Sequence, residues 1–263
     1  MSQKRASRII AISGKGGVGK TTISALILKY LTNKQPLPKL LVIDVDADTN
    51  MPDILGIKVD RNHTVGGIAQ ELRDRINKGK LDPLFDKASY LESKTFEIMV
   101  EGDKFDLIVM SKSEGEGCYC FINSTITGIL DTIQDAYDII VIDTAAGLEH
   151  FSRRTMKDID DLFIITDPSA MGMRTADRII ELTKEMTLKV KHKYIIGNRF
   201  TRESERVLRE KFPETRDDVR VLGTLPQNQA IQEVNLAGKP LLAIDDMNET
   251  YQALIGILRK VNL

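Results

Sequence analysis

Cysteine is nearly missing from this chain: Cys118 and Cys120 are the only two among 263 residues. That scarcity excludes a disulfide-stapled secreted scaffold, and a reducing compartment, the cytoplasm, is expected. Long hydrophobic runs are missing too. No stretch approaches the roughly 18–20 apolar residues that cross a bilayer. The opening residues, MSQKRASRII, lack the apolar stretch and small-residue cleavage site of a signal peptide. An excess of either charge is also absent: 37 basic and 38 acidic side chains leave a formal charge of −1. There is then no global pull toward nucleic acid or anionic lipid, and no nucleic-acid partner is expected. No Pro/Gly/Ser linker, internal repeat or low-complexity tract interrupts the chain, so one domain over residues 1–263 is expected.

What is present is an ordinary globular composition, 42% hydrophobic and 29% charged, enough for a sizeable core. Short runs rich in Ile and Val occupy residues 8–13, 40–45, 105–110, 138–143, 162–166, 194–197 and 219–222. Their hydrophobicity is continuous rather than alternating, which predicts strands buried on both faces, as in a parallel sheet. Amphipathic segments of helical period lie between them, at 20–31, 64–78, 124–133, 175–186, 203–212, 227–237 and 247–261. This rhythm predicts an α/β fold: a doubly wound, mostly parallel sheet flanked by helices on both faces. Residues 60–124 fit least well. They hold a polar helix, a possible β-pair within 96–110 and the string SEGEG, and are expected to form an insertion carrying partner or metal contacts.

The string Gly14-Lys15-Gly16-Gly17-Val18-Gly19-Lys20-Thr21 satisfies G-x-x-x-x-G-K-[ST], between an expected strand and an expected helix. Glycines let the backbone wrap closely around phosphates and present several N–H groups to them. The positive end of the helix starting near Gly19 adds to this. Lys20 is expected to reach the β- and γ-phosphates of a nucleotide, and the Thr21 hydroxyl to ligate Mg²⁺; the whole cradle runs from Gly14 to Thr22.

Two acidic segments follow. Asp44, Asp46 and Asp48 put three carboxylates within five residues at the end of the second expected strand, where open α/β sheets bind ligands. Such a cluster calls for a nearby cation or ordered water, or else is a solvated acidic turn. The run Ile139-Ile140-Val141-Ile142-Asp143 places a carboxylate at a strand end, suited to hold a water on Mg²⁺. Gly147, just beyond, can approach a γ-phosphate through its backbone N–H, so this loop would sense whether that phosphate is present.

Cys118 and Cys120, at i and i+2, are poor disulfide partners and make half of a tetrahedral thiolate site. Two copies of the chain about a two-fold axis would complete a four-sulfur site suited to Zn²⁺, Ni²⁺ or a cluster. Two buried structural cysteines is the alternative.

The string GKGGVGKTT resembles the deviant phosphate-loop signature of the MinD/ParA/nitrogenase iron protein class of ATPases. The resemblance implies ATP and Mg²⁺ as cofactors and a homodimer in which Lys15 reaches across to the partner's nucleotide. It makes Asp44, Asp46 and Asp48 a first switch, with Asp46 polarising the attacking water and Asp44 and Asp48 near Mg²⁺ or in coupling. Thr144-Ala145-Ala146-Gly147 becomes a second switch. Asn198, Pro226 and Gln227 match that class's adenine-contacting positions.

Narrower still, the chain is similar to the CooC-type ATPases that help insert nickel into carbon monoxide dehydrogenase and acetyl-CoA synthase. The similarity rests on GKGGVGKTT, VDADTN, CYC followed by Asn123 and Ser124, and Ala146-Gly147-Leu148-Glu149-His150. It implies Ni or Zn at Cys118 and Cys120 and a nickel-enzyme client. A MinD/ParA-like positioning ATPase and an iron–sulfur scaffold or reductase are the competing readings. His150 is read as a structural contact rather than a metal ligand. The final helix shows one apolar face, Tyr251, Leu254, Ile255, Leu258 and Val261, and only Arg259 and Lys260 as basic flank. Stable membrane anchoring is therefore not expected.

Overall fold

A computed structural model describes residues 7–46, 48–78, 87–111, 133–145, 159–185, 189–214, 216 and 218–263. Seven strands form one sheet: β1 (Arg8–Gly14), β2 (Leu40–Asp44), β3 (Asp106–Val109), β4 (Ile139–Asp143), β5 (Ile159–Thr166), β6 (Val190–Asn198) and β7 (Arg220–Leu225). Their order is β3-β2-β4-β1-β5-β6-β7, and every neighbouring pair is parallel. The sequence predicts a mostly parallel sheet, and the described strands are parallel throughout.

Strand alternation splits the core in two. Along β1, Ile9 and Ala11 join one hydrophobic cluster, and Ile10 and Ile12 join the other. On the first face lie α3 (Val65–Asn77), α5 (Ala170–Glu185) and α6 (Arg202–Lys211), buried through Ile68, Ile179 and Leu208 among others. On the second lie α1 (Lys20–Thr32), α2 (Asn50–Leu55), α7 (Gln229–Leu236) and α8 (Glu249–Arg259). Helix α1 is buried nearly all round, with Ile23, Leu26, Ile27, Leu28 and Leu31 at 0–1% exposure. Burial of that extent, not helix propensity, holds it against the sheet. Side-chain caps fix three further starts: Thr64 accepts from the Gly67 amide, Asn228 from Ile231 and Asn248 from Tyr251. Helix α6 carries a full capping box between Thr201 and Ser204.

The chain leaves β1 through α1 toward β2 on one side and reaches β6 and β7 from β5 on the other. The direction reverses beside β1, so a crevice opens at the carboxyl ends of β1, β4 and β5. That crevice receives the loop at residues 14–19.

Several expectations shift. The described part of 60–124 is built into the fold, since α3 packs on the core and β3 is the edge strand beside β2. The suggested β-pair within 96–110 reduces to one antiparallel bridge, Val100 with Leu107, because Phe96 belongs to helix α4 (Lys87–Glu97). Helices α2 and α4 were not anticipated. Most of the helix expected at 124–133 lies outside the described residues, as do Cys118, Cys120, Gly147, Glu149 and His150. Among the described residues, no helix is long and apolar enough to cross a membrane.

Candidate functional site

The loop between β1 and α1 is shaped by what its glycines permit. A Cβ on Gly14 would run into the Ile165 carbonyl of β5. Gly19, the residue before α1, has φ +94, and a Cβ there would sit 2.5 Å from Asn198 Nδ2. That close approach is used: Asn198 Nδ2 donates to the Val18 carbonyl at 2.7 Å, and Arg199 to the Gly17 carbonyl at 3.2 Å. The end of β6 thus props up the loop by engaging two of its carbonyls. Lys20 is 6% exposed, and among the described residues its ammonium makes only a long contact, 3.5 Å, to the Lys15 carbonyl.

Above the loop lies a pocket of about 600 Å³. Its floor is Gly16, Gly17, Gly19, Lys20, Thr21 and Thr22. One wall is the acidic segment, with Asp46 and Asp48, continued by Asn50, Asp53 and Ile54 of α2, and Ala145 closes the end of β4. Asn235, Gly238 and Lys239, from the end of α7, complete the lining. Gly14, Lys15 and Val18 flank the loop without lining the pocket.

Beneath the pocket, β2 and β4 set Asp44 opposite Asp143 in register. Both are 0% exposed. Asp44 accepts backbone amides on both oxygens, from Asp46 at 3.0 Å and Met51 at 3.1 Å, which folds the acidic segment back over the strand end. Burial first, then the charge of Asp143, pushes the Asp44 carboxyl up to about 8, against the pull of those amides. Burial likewise raises Asp143 to about 6; the Thr21 and Ser24 hydroxyls and the Lys20 ammonium oppose it. Ser24 Oγ donates to Asp143 Oδ1 at 2.9 Å, while Oδ2 is buried with no hydrogen-bond partner among the described residues.

An orphaned carboxylate oxygen beside a threonine hydroxyl, under a pocket floored by amides and lysine, could hold a hard divalent cation with the help of ligand oxygens and water. No group of three or more His, Cys, Asp or Glu among the described residues is placed to hold a metal ion alone. The donor set therefore suits Mg²⁺ shared with phosphates better than a protein-only metal cage.

A narrower cleft of about 50 Å³ adjoins this pocket. It brings Asn198, Pro226 and Gln227 together with Arg199, Ile231 and Thr250. Thr22 and Asn235 line both cavities, so the two are joined. Apolar side chains such as Ile23, Leu26 and Ile231 beside several amide side chains suit a planar base. The turn that ends α7, Asn235 to Lys239, was missed by sequence reasoning, and so were the contributions of α2 and Ser24. A Gly-Lys-Pro string after a helix marks a stop, and nothing local says what the stop faces.

Residues 9–241 match the CobQ/CobB/MinD/ParA nucleotide binding domain. An uncharacterized ATP-binding protein of Methanocaldococcus jannaschii is 41% identical over 253 residues, 96% of this chain and 98% of that one. The carbon monoxide dehydrogenase accessory protein CooC of Rhodospirillum rubrum is 27% identical over 241 residues, 87% of each chain. Among solved structures, a ParA family ATPase from Chlorobium tepidum superposes with a TM-score of 0.71 at 21% identity, over 98% of this chain and 100% of the other. The septum site-determining protein MinD of Pyrococcus horikoshii, complexed with Mg-ADP, gives 0.68 at 22%, over 97% and 96%. The phosphate loop, the buried aspartate at the end of β4 and the parallel sheet that presents them agree with that match: the chain belongs to the CobQ/CobB/MinD/ParA nucleotide-binding family.

Proposed function

We propose that the protein is an ATP-hydrolysing switch that loads and releases nickel for carbon monoxide dehydrogenase or acetyl-CoA synthase. The observation that carries the ATPase part is the pocket itself: amides and Lys20 below, acidic switch beside it, and an unpartnered Asp143 oxygen underneath. ATP enters with its base in the cleft of Asn198, Pro226 and Gln227 and its phosphates over Gly14–Thr22. Thr21 and Asp143, with Asp44 behind them, hold Mg²⁺, which when bound neutralises charge on the β- and γ-phosphates. Lys20 grips those phosphates from the floor. Asp46, at the pocket wall, orients the attacking water. Gly147 reports the loss of the γ-phosphate.

Lys15 lies at the loop's flank rather than in its own pocket, which suits action on a second copy's nucleotide across a two-fold axis. Leu236, 87% exposed beside a pocket-lining asparagine, supplies apolar surface for the same association. The metal reading is supported by the CYC string and by likeness to the R. rubrum accessory protein. Cys118 and Cys120 of both copies then bind Ni²⁺ or Zn²⁺ as cargo, and hydrolysis changes the dimer that holds it.

Two measurements separate the layers. Calorimetric titration of ATP against Lys20→Ala tests the pocket; affinity equal to that of the unaltered protein would overturn the ATPase reading. Elemental analysis after anaerobic purification tests the cargo, with one metal per dimer expected and lost on Cys118→Ala with Cys120→Ala. Unchanged metal content would instead favour a MinD-like positioning ATPase, a reading that MinD relatives also support.

A further inference from the structure

The turn that ends α7 brings a second lysine, Lys239, to the lining of the pocket. Helix α7 ends in a Schellman motif: the Gly238 amide donates to the Asn235 carbonyl at 3.2 Å and the Lys239 amide to the Val234 carbonyl at 3.0 Å, with Gly238 at φ +59. Pro240 follows and packs directly against Gly56, where no Cβ could fit, so the turn is clamped to the end of α2. The 3-10 turn Leu241–Ala243 then continues into the core through Leu241. Lys239 is thereby presented to the pocket from a backbone fixed on both sides. Its side chain is exposed, and among the described residues its ammonium has no hydrogen-bond or ion-pair partner.

The charge of the pocket gives that cation a task. Among the described residues Lys20 is the other cation lining it, against Asp46, Asp48 and Asp53. A polyphosphate entering there meets three carboxylates, and one buried lysine at the floor does not balance them. Position along the nucleotide follows from the shared lining residues. Thr22 and Asn235 border both the base cleft and the larger pocket, so the stretch between them is where a base connects to its phosphate chain. Asn235 and Lys239 belong to one turn.

We propose that Lys239 is a binding residue for the sugar-proximal phosphates of a nucleoside di- or triphosphate, acting from the turn that ends α7. The proposal rests on the nucleotide-binding reading of the pocket. Because it grips phosphates that ATP and ADP share, Lys239 strengthens both complexes equally and takes no part in sensing hydrolysis. That distinguishes it from Lys20, Asp46 and Gly147.

Isothermal titration with Mg·ATP and Mg·ADP, on the unaltered protein, Lys239→Gln and Lys20→Ala, tests this. Lys239→Gln is expected to weaken ATP and ADP alike by about five- to tenfold, the loss of one charge-assisted contact at a partly solvated site. Its circular dichroism should match the unaltered protein, since the side chain is exposed. Unchanged affinity for both nucleotides would overturn the proposal, and so would a loss confined to ATP. Unaltered protein that bound neither nucleotide would remove the underlying pocket reading. Binding abolished in Lys20→Ala but untouched in Lys239→Gln would remove this inference alone.

Discussion

Asp143→Asn should make the nucleotide-free protein more stable and its ATP complex weaker. Burial holds the Asp143 carboxyl at about 6 against an ordinary 3.8. At 1.36 kcal/mol per pH unit, that gap corresponds to about 3 kcal/mol of disfavoured charge above pH 6. An asparagine removes the charge and keeps an oxygen to accept from Ser24. Its new amide needs a partner, and burying it imperfectly costs about 1–2 kcal/mol. A net gain of about 1–2 kcal/mol remains, or about 2–8 °C in Tm for a chain of this size. Removing one of two facing charges also eases Asp44, whose elevated pKa owes part of its rise to Asp143.

The sign fixes a pH signature. A carboxyl whose folded pKa lies above its unfolded value burdens the fold once it ionises, and the burden lifts as acid protonates it. The advantage of Asp143→Asn should therefore be full above pH 6 and close between about pH 6 and pH 4. Thermal melts without nucleotide across that range measure it. With saturating Mg·ATP the order should reverse, because ligand at a hundredfold excess over Kd adds about 2.7 kcal/mol to whichever protein binds it. A variant that melts below the unaltered protein at neutral pH, with a gap indifferent to acid, would refute the account of Asp143 as a strained cation ligand.

Three further outcomes are expected. Gly19→Ala meets both a left-handed φ and the Asn198 amide at 2.5 Å; it should cost about 2–4 kcal/mol in denaturant melts and lower ATP affinity in the same titration, since the Val18 prop is lost with it. Lys15→Ala should keep ATP binding within about twofold of the original and reduce turnover by about 10³-fold or more, as removal of a finger cation does; a phosphate-release assay at varied protein concentration checks this, and unaltered turnover would exclude a role in trans. Arg8→Ala strips the 2.6 Å partner from Asp161, whose side chain is 1% exposed, and releases the carbonyls of Val261 and Asn262. A loss of about 3 kcal/mol in urea melts is expected, at the low end for a broken buried pair because His192 still faces Asp161. Nucleotide affinity should hold, since Arg8 opens β1 at the end opposite Gly14.

What the sequence made legible divides by whether the controlling contacts are local. The floor of the pocket was readable because its requirements are consecutive: glycine where the backbone must turn without a Cβ, then lysine, then hydroxyls, all within Gly14–Thr22. The central strands were readable because both faces are buried, so β1 and β4 are plain apolar runs. Strand β5 begins at Ile159, three residues before the run suggests, because Asp160 and Asp161 are held by the Ile9 amide and by Arg8 and act as ladder residues despite their charge. Strand β6 extends back over Lys191, His192 and Lys193 for a related reason: Lys191 meets Asp160 and His192 meets Asp161 across the sheet.

Helix α2 gave no pattern to read. It is six residues long, includes Pro52 and follows Thr49 in a left-handed conformation. What fixes it is Asp44, seven residues back, accepting the Met51 amide. The turn that ends α7 lies at the extreme of this scale. Lys239 shares a pocket with the phosphate loop only because the strand order reverses beside β1, α7 returns over the second face, and Pro240 meets Gly56 across 184 residues of chain. Each of those is a tertiary event with no signature in the string Gly-Lys-Pro. A ligand pocket at a reversal of strand order is bound to be half local and half assembled in this way, because one side is the turn after a central strand and the other is whatever the opposite winding brings back. Site residues of the second kind must be sought in the fold, and Lys239 is one.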